Sequence, residues 1–134
     1  MAIRIEKAVS DCLGFGHDGD GRAVFVEDAL PGELVECTEK ERRNGFSIME
    51  CAEVLEPSPL RRAPYCPFYG RCGGCSFQIV DEKDSAAIKE SVVKDNLRRI
   101  AKLEELPPFD PPAYGQAAGY RRRARFHVDF RGRR

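Results

Sequence analysis

The stretch AVFVEDALPGELVECT, residues 23–38, decides the fold class because two apolar segments flank a turn. Residues 23–26 form a short, partly β-branched apolar run, as expected of a strand that is covered on both faces. Pro31 and Gly32 then turn the chain, since proline fixes φ and glycine accepts positive φ. Residues 34–38 are the next predicted strand. The pattern therefore predicts short strands joined by tight turns.

The rest of the first 56 residues extends this β pattern in both directions. Ile3 and Ile5 alternate with polar neighbours, the period of a half-buried strand. Residues 14–21 are rich in glycine and are predicted as a loop. Residues 46–55 are a further predicted strand, with a bulge around Met49 and a connection over residues 39–45 whose Asn-Gly pair favours a hairpin. Short strands with frequent turns predict a small closed barrel over residues 1–56.

The second part of the chain predicts less regular structure. Prolines and glycines make residues 57–76 an irregular loop, and residues 81–103 form the one predicted helix, ended by Pro107-Pro108. Its apolar stripe consists of Ile88, Val92, Leu97 and Ile100. Residues 120–130 are predicted as a strand with arginines between apolar residues. The predicted fold class is mainly β with one helix (α+β): a barrel (1–56), a cysteine-rich loop with a helix (57–106) and the beginning of an incomplete central domain (107–134).

Charge is distributed unevenly although the net charge is zero. Residues 1–56 contain six Lys and Arg against 13 Asp and Glu, a net charge of −7, and residues 57–134 carry +7. A basic second half indicates contact with a polyanion. Packing of one half against the other would neutralise the same charges, and the sequence leaves both interpretations open.

Three of the six cysteines form a C-x5-C-x2-C array: Cys66, Cys72 and Cys75. The first residues lack a secretion-signal pattern, and no apolar run approaches membrane-spanning length, so we expect a cytoplasmic protein with reduced thiols. Thiolates bind iron or zinc, and the Gly-Gly pair inside the array lets the backbone approach a metal centre. A Cys72–Cys75 disulfide or idle thiols are the structural alternatives. Cys37 is predicted to be a core residue, and Cys12 and Cys51 are given no role.

Several segments together resemble one family. Residues 29–33, 57–61, 66–75 and 119–123 resemble, in this order, the N-terminal part of class I SAM-dependent RNA (uracil-5-)-methyltransferases. The cysteine array resembles the iron–sulfur branch that acts on 23S ribosomal RNA. This resemblance covers essentially the whole chain. It implies that the barrel is an OB-like TRAM domain that binds RNA, and that the three cysteines hold a 4Fe-4S cluster whose fourth cysteine lies further downstream in the family.

Catalysis is not expected from this chain alone. In the family, a Rossmann-like domain with the SAM site, a nucleophilic cysteine and a general base follows these segments, and none of these is found here. The resemblance therefore implies a piece that ends before the methyltransferase domain, with no catalytic residue and with SAM bound only by a longer form.

Candidate RNA contacts come from both halves of the sequence. The arginines near residue 121 can contact phosphates, or can instead form a solvated face or pair with the domain that follows in the family. Basic residues of the 39–45 connection and an aromatic residue of the glycine-rich stretch suit an edge where rings stack on bases. These candidates are Phe15, Lys40, Arg42, Arg43, Arg121, Arg123 and Arg125.

Two other functions fit parts of the sequence. A stand-alone TRAM module that binds RNA and holds zinc through the three cysteines is the first alternative. A small redox protein is less favoured, because a ferredoxin would carry its own four cysteines. We expect RNA, in particular 23S rRNA, as the partner, no membrane association and a monomer.

Overall fold

The computed structural model describes residues 1–125 of the chain. It contains a six-stranded mixed sheet and, within these residues, one α-helix, α1 (Glu82–Arg99). The strands are β1 (Ala2–Arg4), β2 (Lys7–Ala8), β3 (Gly14–His17), β4 (Ala23–Glu27), β5 (Leu34–Arg43) and β6 (Phe46–Glu56). A 3-10 turn, Ser10–Cys12, follows β2. The predicted class, mainly β with one helix, is confirmed.

The sheet closes into a barrel because one bent segment supplies both of its edges. The strand order is β1-β5-β6-β4-β3-β2, with β4 and β6 parallel and the other pairs antiparallel. Between β1 and β2, the Ile5 amide donates to the Glu33 carbonyl, and the Glu6 amide donates to the Phe15 carbonyl, each at 2.8 Å. The segment therefore leaves β5 and joins β3 without a gap, which removes the exposed edges of an open sheet.

The barrel core follows the predicted alternation. Ile3 and Ile5 are both 1% exposed, and Cys37 is a buried core residue as predicted. The interior is filled by side chains from all sides of the barrel, as is usual in small barrels. Its buried members are Ile3, Ile5, Val24, Val26, Ala29, Val35, Cys37 and Met49.

The prediction of a loop over residues 14–21 was wrong for Gly14–His17, which form β3. A Cβ on Gly14 would lie 2.9 Å from Ile5 Cγ2, and a Cβ on Gly16 would lie 2.4 Å from the Arg4 carbonyl oxygen. The two inward-facing positions of β3 must therefore be glycine, because the closing segment passes directly over them. Glycine here marks close backbone approach within a strand.

The expectation that residues 23–26 are covered on both faces was also wrong. Val24 and Val26 point into the core, with exposed fractions of 1% and 0%. Phe25 lies on the opposite face and is only half-buried. β4 is thus an ordinary alternating strand whose outer side chain is aromatic.

The connection predicted over residues 39–45 is shorter in the structure. β5 continues to Arg43, so that only Asn44 and Gly45 form the turn, with Gly45 at φ 92°. The predicted bulge is present near Met49, but the extra residue, Lys40, lies on the partner strand β5. Polar side chains on both faces hid the end of β5 from the pattern, since its last six residues are all exposed.

Helix α1 begins where predicted and ends early. The Asp81 side chain accepts from the Asp84 amide at 2.7 Å and caps the helix. The predicted end at residue 103 was wrong, because Lys102 takes a left-handed φ of 57° and the Leu103 amide bonds back to the Leu97 carbonyl at 3.1 Å. Ile100, predicted on the apolar stripe, is 75% exposed.

The helix and the irregular segment share a second core cluster with the barrel. As predicted, residues 57–76 contain no helix or strand. This cluster comprises Ala8, Leu30, Ile79, Val80 and Ile88, with Tyr69, Phe77 and Val92 packed against it. It seats α1 and the cysteine loop on the side of the barrel formed by β2 and the β4–β5 connection.

A buried ion pair fixes the start of the irregular segment to the barrel. The Glu33 side chain is fully buried and accepts from Arg61 Nε at 2.5 Å and Nη2 at 2.7 Å, and from the amides of Leu30 and Ser58. Burial alone would raise the pKa of Glu33, but these four donors outweigh it and hold the pKa below its usual range. The carboxylate therefore stays charged inside the fold.

The end of the described chain differs from its prediction. Residues 120–125 do not form a strand, and residues 126–130 of that predicted strand lie outside the described range. No helix within residues 1–125 is both long and apolar enough to cross a bilayer. The proposed division at residues 56 and 106 remains a prediction.

Candidate RNA-binding face and cysteine loop

A row of aromatic rings crosses the outer face of the barrel. Phe15 on β3 is the register partner of Phe25 on β4, and their ring centroids are 5.6 Å apart. Phe46, at the start of β6, meets the Phe25 ring edge-on at 5.3 Å, and His17 meets Phe15 at 5.1 Å. The three phenylalanines are half-buried, on the side opposite the core. We call Phe15, Phe25 and Phe46 the aromatic row.

Each end of the aromatic row carries a cation. Lys7 pairs in register with Phe15, and its Nζ lies 5.7 Å from the Phe15 ring centroid. Arg43 lies over Phe46, with its guanidinium carbon 5.8 Å from the ring centroid. Lys7 also contacts Asp95 of α1 at 2.9 Å. Proteins that bind single-stranded nucleic acid without sequence preference combine aromatic rings with positive charge in this way.

Of the predicted contacts in the barrel, the structure brings Phe15 and Arg43 to opposite ends of this row. Lys40 instead pairs with Glu27 at 2.7 Å, and this hydrogen bond raises the pKa of Lys40. Arg42 is exposed on the same hairpin. Arg43 also pairs with Glu41 at 2.7 Å, on the exposed surface where such pairs are weak.

The predicted arginines of the second half lie in a different part of the fold. Arg121, Arg123 and Arg125 are all exposed. Arg121 stacks over Tyr120 at 5.6 Å and lines an open groove between α1, the cysteine loop and residues 109–121. None of the predicted barrel contacts lines this groove. RNA that used both sets would therefore have to span two surfaces.

The sequence did not single out Phe25 and Phe46 as site residues. Phe25 was included in an apolar run that was expected to be buried on both faces. Strand alternation with Val24 and Val26 would have placed it outside, next to Phe15, once β3 was recognised as a strand.

The three predicted metal ligands line one small cavity of about 30 Å³, together with Tyr69, Gln78 and others. Cys66 is half-buried, Cys72 and Cys75 are exposed, and all three are free thiols. The full lining of the cavity is Cys66, Phe68, Tyr69, Gly70, Cys72, Gly73, Cys75 and Gln78.

Tight turns build this loop. The Tyr69 amide donates to the Cys66 carbonyl at 3.1 Å, and the Cys72 amide donates to the Phe68 carbonyl at 2.9 Å. Gly70 and Gly73 have φ values of 77° and 68°, which other residues rarely adopt. The Cys66 amide donates to the side-chain oxygen of the buried Gln78 at 3.2 Å.

Cys66, Cys72 and Cys75 share the lining of one cavity, and thiols are the residue type that holds iron–sulfur clusters. Within residues 1–125, however, no group of three or more His, Cys, Asp and Glu side chains is close enough to hold a metal ion. Cys12, Cys37 and Cys51 do not line the cavity. Burial raises the pKa of Cys37 to about 11, which favours a neutral core thiol over a ligand.

Curated relatives match the amino-acid sequence along almost the whole chain. A protein of Burkholderia cenocepacia (strain HI2424) is 39% identical over 131 residues, 94% of this chain, and is named 23S rRNA (uracil(1939)-C(5))-methyltransferase RlmD. The chain is similar to one part of proteins that are named 23S rRNA (uracil-C5)-methyltransferases. The resemblance identified from the sequence is thereby confirmed. No protein-family model matches the sequence.

Two further relatives with the same name match the sequence of this chain to a similar extent. The relative from Burkholderia ambifaria (strain ATCC BAA-244 / DSM 16087 / CCUG 44356 / LMG 19182 / AMMD) is 40% identical over 94% of this chain. The relative from Burkholderia thailandensis (strain ATCC 700388 / DSM 13276 / CCUG 48851 / CIP 106301 / E264) is 43% identical over 81% of it. The chain spans only 28% and 23% of the lengths of these two relatives.

Proposed function

We propose that this chain binds RNA on the outer face of the barrel and holds an iron–sulfur cluster through its cysteine loop, as part of a 23S rRNA (uracil-C5)-methyltransferase. The observation that carries the RNA proposal is the aromatic row of Phe15, Phe25 and Phe46, with Lys7 and Arg43 at its ends. The names of the relatives support rRNA as the RNA, and we propose the cytoplasm as the location, as the sequence predicts. Residues 1–56 are, in this proposal, a TRAM-like barrel.

The aromatic row can hold unstacked bases. Each base has an apolar face, so stacking on a phenylalanine ring tolerates any sequence and contributes about 1–3 kcal/mol per base. The barrel itself carries a net charge of −7, and Lys7 and Arg43, the cations beside the row, each also pair with a carboxylate. We therefore expect weak binding of single-stranded or looped RNA that depends more on stacking than on charge.

A leucine substitution in the row tests the RNA proposal. Phe25→Leu keeps an apolar side chain at this outward position and removes the ring. The free energy of binding to a uridine-containing single-stranded RNA, measured by fluorescence anisotropy, should therefore weaken by about 1–3 kcal/mol. Phe109→Leu is the matched control. Phe109 also carries a lysine, with Lys94 Nζ 4.8 Å from its ring centroid, but it lines the groove. Equal affinities of the two variants would refute stacking on the barrel face.

The cysteine loop is the proposed cluster site, with Cys66, Cys72 and Cys75 as thiolate ligands. When bound, a cluster would supply either electron transfer or a structural crosslink. The chain's own contribution is to present three thiols in a loop whose turns are preset by Gly70 and Gly73. The 30 Å³ cavity must widen to admit a cluster.

Elemental analysis tests the metal proposal. Protein prepared without oxygen should contain iron and sulfide and absorb in the visible range, and Cys72→Ser should lose both. A Cys37→Ser variant is the matched control, since Cys37 lies in the barrel core. Zinc at one ion per chain without visible absorption would exclude the cluster and favour the zinc-binding RNA module.

The methyl transfer named in the relatives is assigned to none of residues 1–125. We propose that SAM binds elsewhere in a longer form of the protein, as the family resemblance implies. The role proposed for residues 1–125 is to bind and orient RNA.

A further inference from the structure

The side chain of Tyr69 connects the cysteine loop to the barrel. Tyr69 stands midway between Cys66 and Cys72, and its hydroxyl donates to Asp28 Oδ1 at 2.5 Å. The same oxygen lies 3.2 Å from the carbonyl of Ser76, which follows Cys75. A tyrosine has one hydroxyl proton, and the shorter contact to a charged acceptor is the stronger one. The proton therefore belongs to the bond with Asp28.

The backbone of Asp28 is bonded to the barrel side. It takes a left-handed φ of 57°, at the end of β4. Its carbonyl accepts from Arg61 Nη2 at 2.7 Å, and Arg61 is fixed by the fully buried Glu33. The backbone of Asp28 is thus fixed by the barrel and by the buried ion pair, and its carboxylate accepts from Tyr69.

Anchoring at Tyr69 acts on both sides of the loop. The Tyr69 amide bonds to the Cys66 carbonyl at 3.1 Å, and the turn that starts at Phe68 holds the Cys72 amide at 2.9 Å. The Tyr69 ring packs against the second core cluster and lines the cavity of the three cysteines. A shift of this side chain would displace ligands on either side of it.

We propose that Asp28 is a positioning residue for the cysteine loop, holding Cys66, Cys72 and Cys75 in place for a metal centre through its hydrogen bond with Tyr69. The inference rests on the proposed metal site and deepens it. It makes the retention of the metal dependent on a residue of the barrel that is 38 positions away from Cys66 in the sequence. Such a residue touches no metal and acts only through Tyr69.

Three substitutions separate this role from general stability. Tyr69→Phe keeps the ring in the second core cluster and removes only the hydroxyl. Asp28→Gly accepts the left-handed φ and removes the acceptor. Asp28→Asn is the conservative control, because asparagine tolerates the same φ and its side-chain oxygen still accepts from Tyr69.

Amide hydrogen exchange of the metal-free chain gives the first measurement. Residues 66–76 should exchange about tenfold faster in Tyr69→Phe and Asp28→Gly, the factor expected for one lost hydrogen bond to a charged acceptor. Strand β4 should exchange at the parent rate, which shows that the barrel is intact. Asp28→Asn should resemble the parent.

The second measurement is the rate at which Co²⁺ is released to a chelator, monitored through the thiolate-to-cobalt absorption band. Loss of Co²⁺ should be about tenfold faster in Tyr69→Phe and Asp28→Gly than in the parent and in Asp28→Asn. If the parent forms no thiolate band, the proposed metal site fails, and exchange alone then decides whether Asp28 holds the loop. Parent-like exchange of residues 66–76 in both disruptive variants would overturn the positioning role.

Discussion

Arg61 donates two hydrogen bonds to the carboxylate of Glu33, at 2.5 and 2.7 Å, although the two residues are 28 positions apart in the sequence. The Arg61 side chain is 19% exposed and that of Glu33 is fully buried. This pair attaches the irregular segment to the barrel. It is also the starting point of the contacts that reach the cysteine loop, since Arg61 holds the carbonyl of Asp28.

Glu33→Gln should destabilise the fold strongly. The substitution leaves Arg61 largely buried without a counter-charge, which costs about 3–5 kcal/mol when a buried pair is broken. Urea unfolding at neutral pH measures the loss. The control is Glu56→Gln, which breaks the exposed pair with Arg4 at 2.6 Å and should cost less than about 1 kcal/mol. Equal losses in the two variants would contradict the account.

The contribution of the Glu33 carboxylate to the free energy of unfolding should disappear in acid. Its pKa is lowered in the folded chain, so the unfolded state binds the proton more readily and stability rises with pH through this range. The stability difference between parent and Glu33→Gln is therefore full above the ordinary glutamate pKa of about 4.3. It should shrink as the pH falls through the lowered pKa. A difference that is the same in urea unfolding at pH 7 and pH 3 would rule this out.

Gly16→Ala should destabilise the barrel by about 1–3 kcal/mol, the range for overpacking. The new Cβ would meet the Arg4 carbonyl at 2.4 Å, so the closing segment would have to move. Gly19→Ala is the matched control, because nothing lies within 4 Å of its Cβ position. Thermal unfolding of the two variants tests the claim, which fails if they unfold at the same temperature.

The barrel was predictable from the sequence where the pattern is local. Ile3 and Ile5 alternate, and Asn44-Gly45 turns the hairpin, without help from distant residues. β3 was not predictable in this way, because Gly14 and Gly16 are required by a segment nine or more positions away that passes over them. Mistaking β3 for a loop also hid the partner of Phe25, and with it the aromatic row.

The candidate site likewise has local features that the sequence predicts and long-range contacts that it does not. The cysteine spacing and Phe15 could be identified from the sequence, since each depends on residue type and neighbours. The bond between Asp28 and Tyr69 could not, because it joins residues 41 positions apart across the fold. The end of α1 at Arg99 was also missed, because the composition of residues 100–103 does not predict the left-handed φ of Lys102.

Replacing Arg121, Arg123 and Arg125 together by Ala should change the salt dependence of RNA binding. Each single-strand phosphate contact that is lost reduces the slope of log affinity against log salt by about 0.7. Phe15→Leu should weaken binding with little change in this slope, because stacking releases few counterions. Anisotropy titrations at several salt concentrations measure both. A triple variant that matches the parent in slope and midpoint would show that these arginines do not contact RNA.

Binding of single-stranded RNA on the outer face of the barrel is tested most directly by an NMR titration of the chain with a uridine-containing oligonucleotide. The ring resonances of Phe15, Phe25 and Phe46 and the amides of β3 and β4 should shift first and furthest. Shifts that leave these strands unchanged and fall on the groove tyrosines, Tyr65, Tyr114 and Tyr120, would contradict the account.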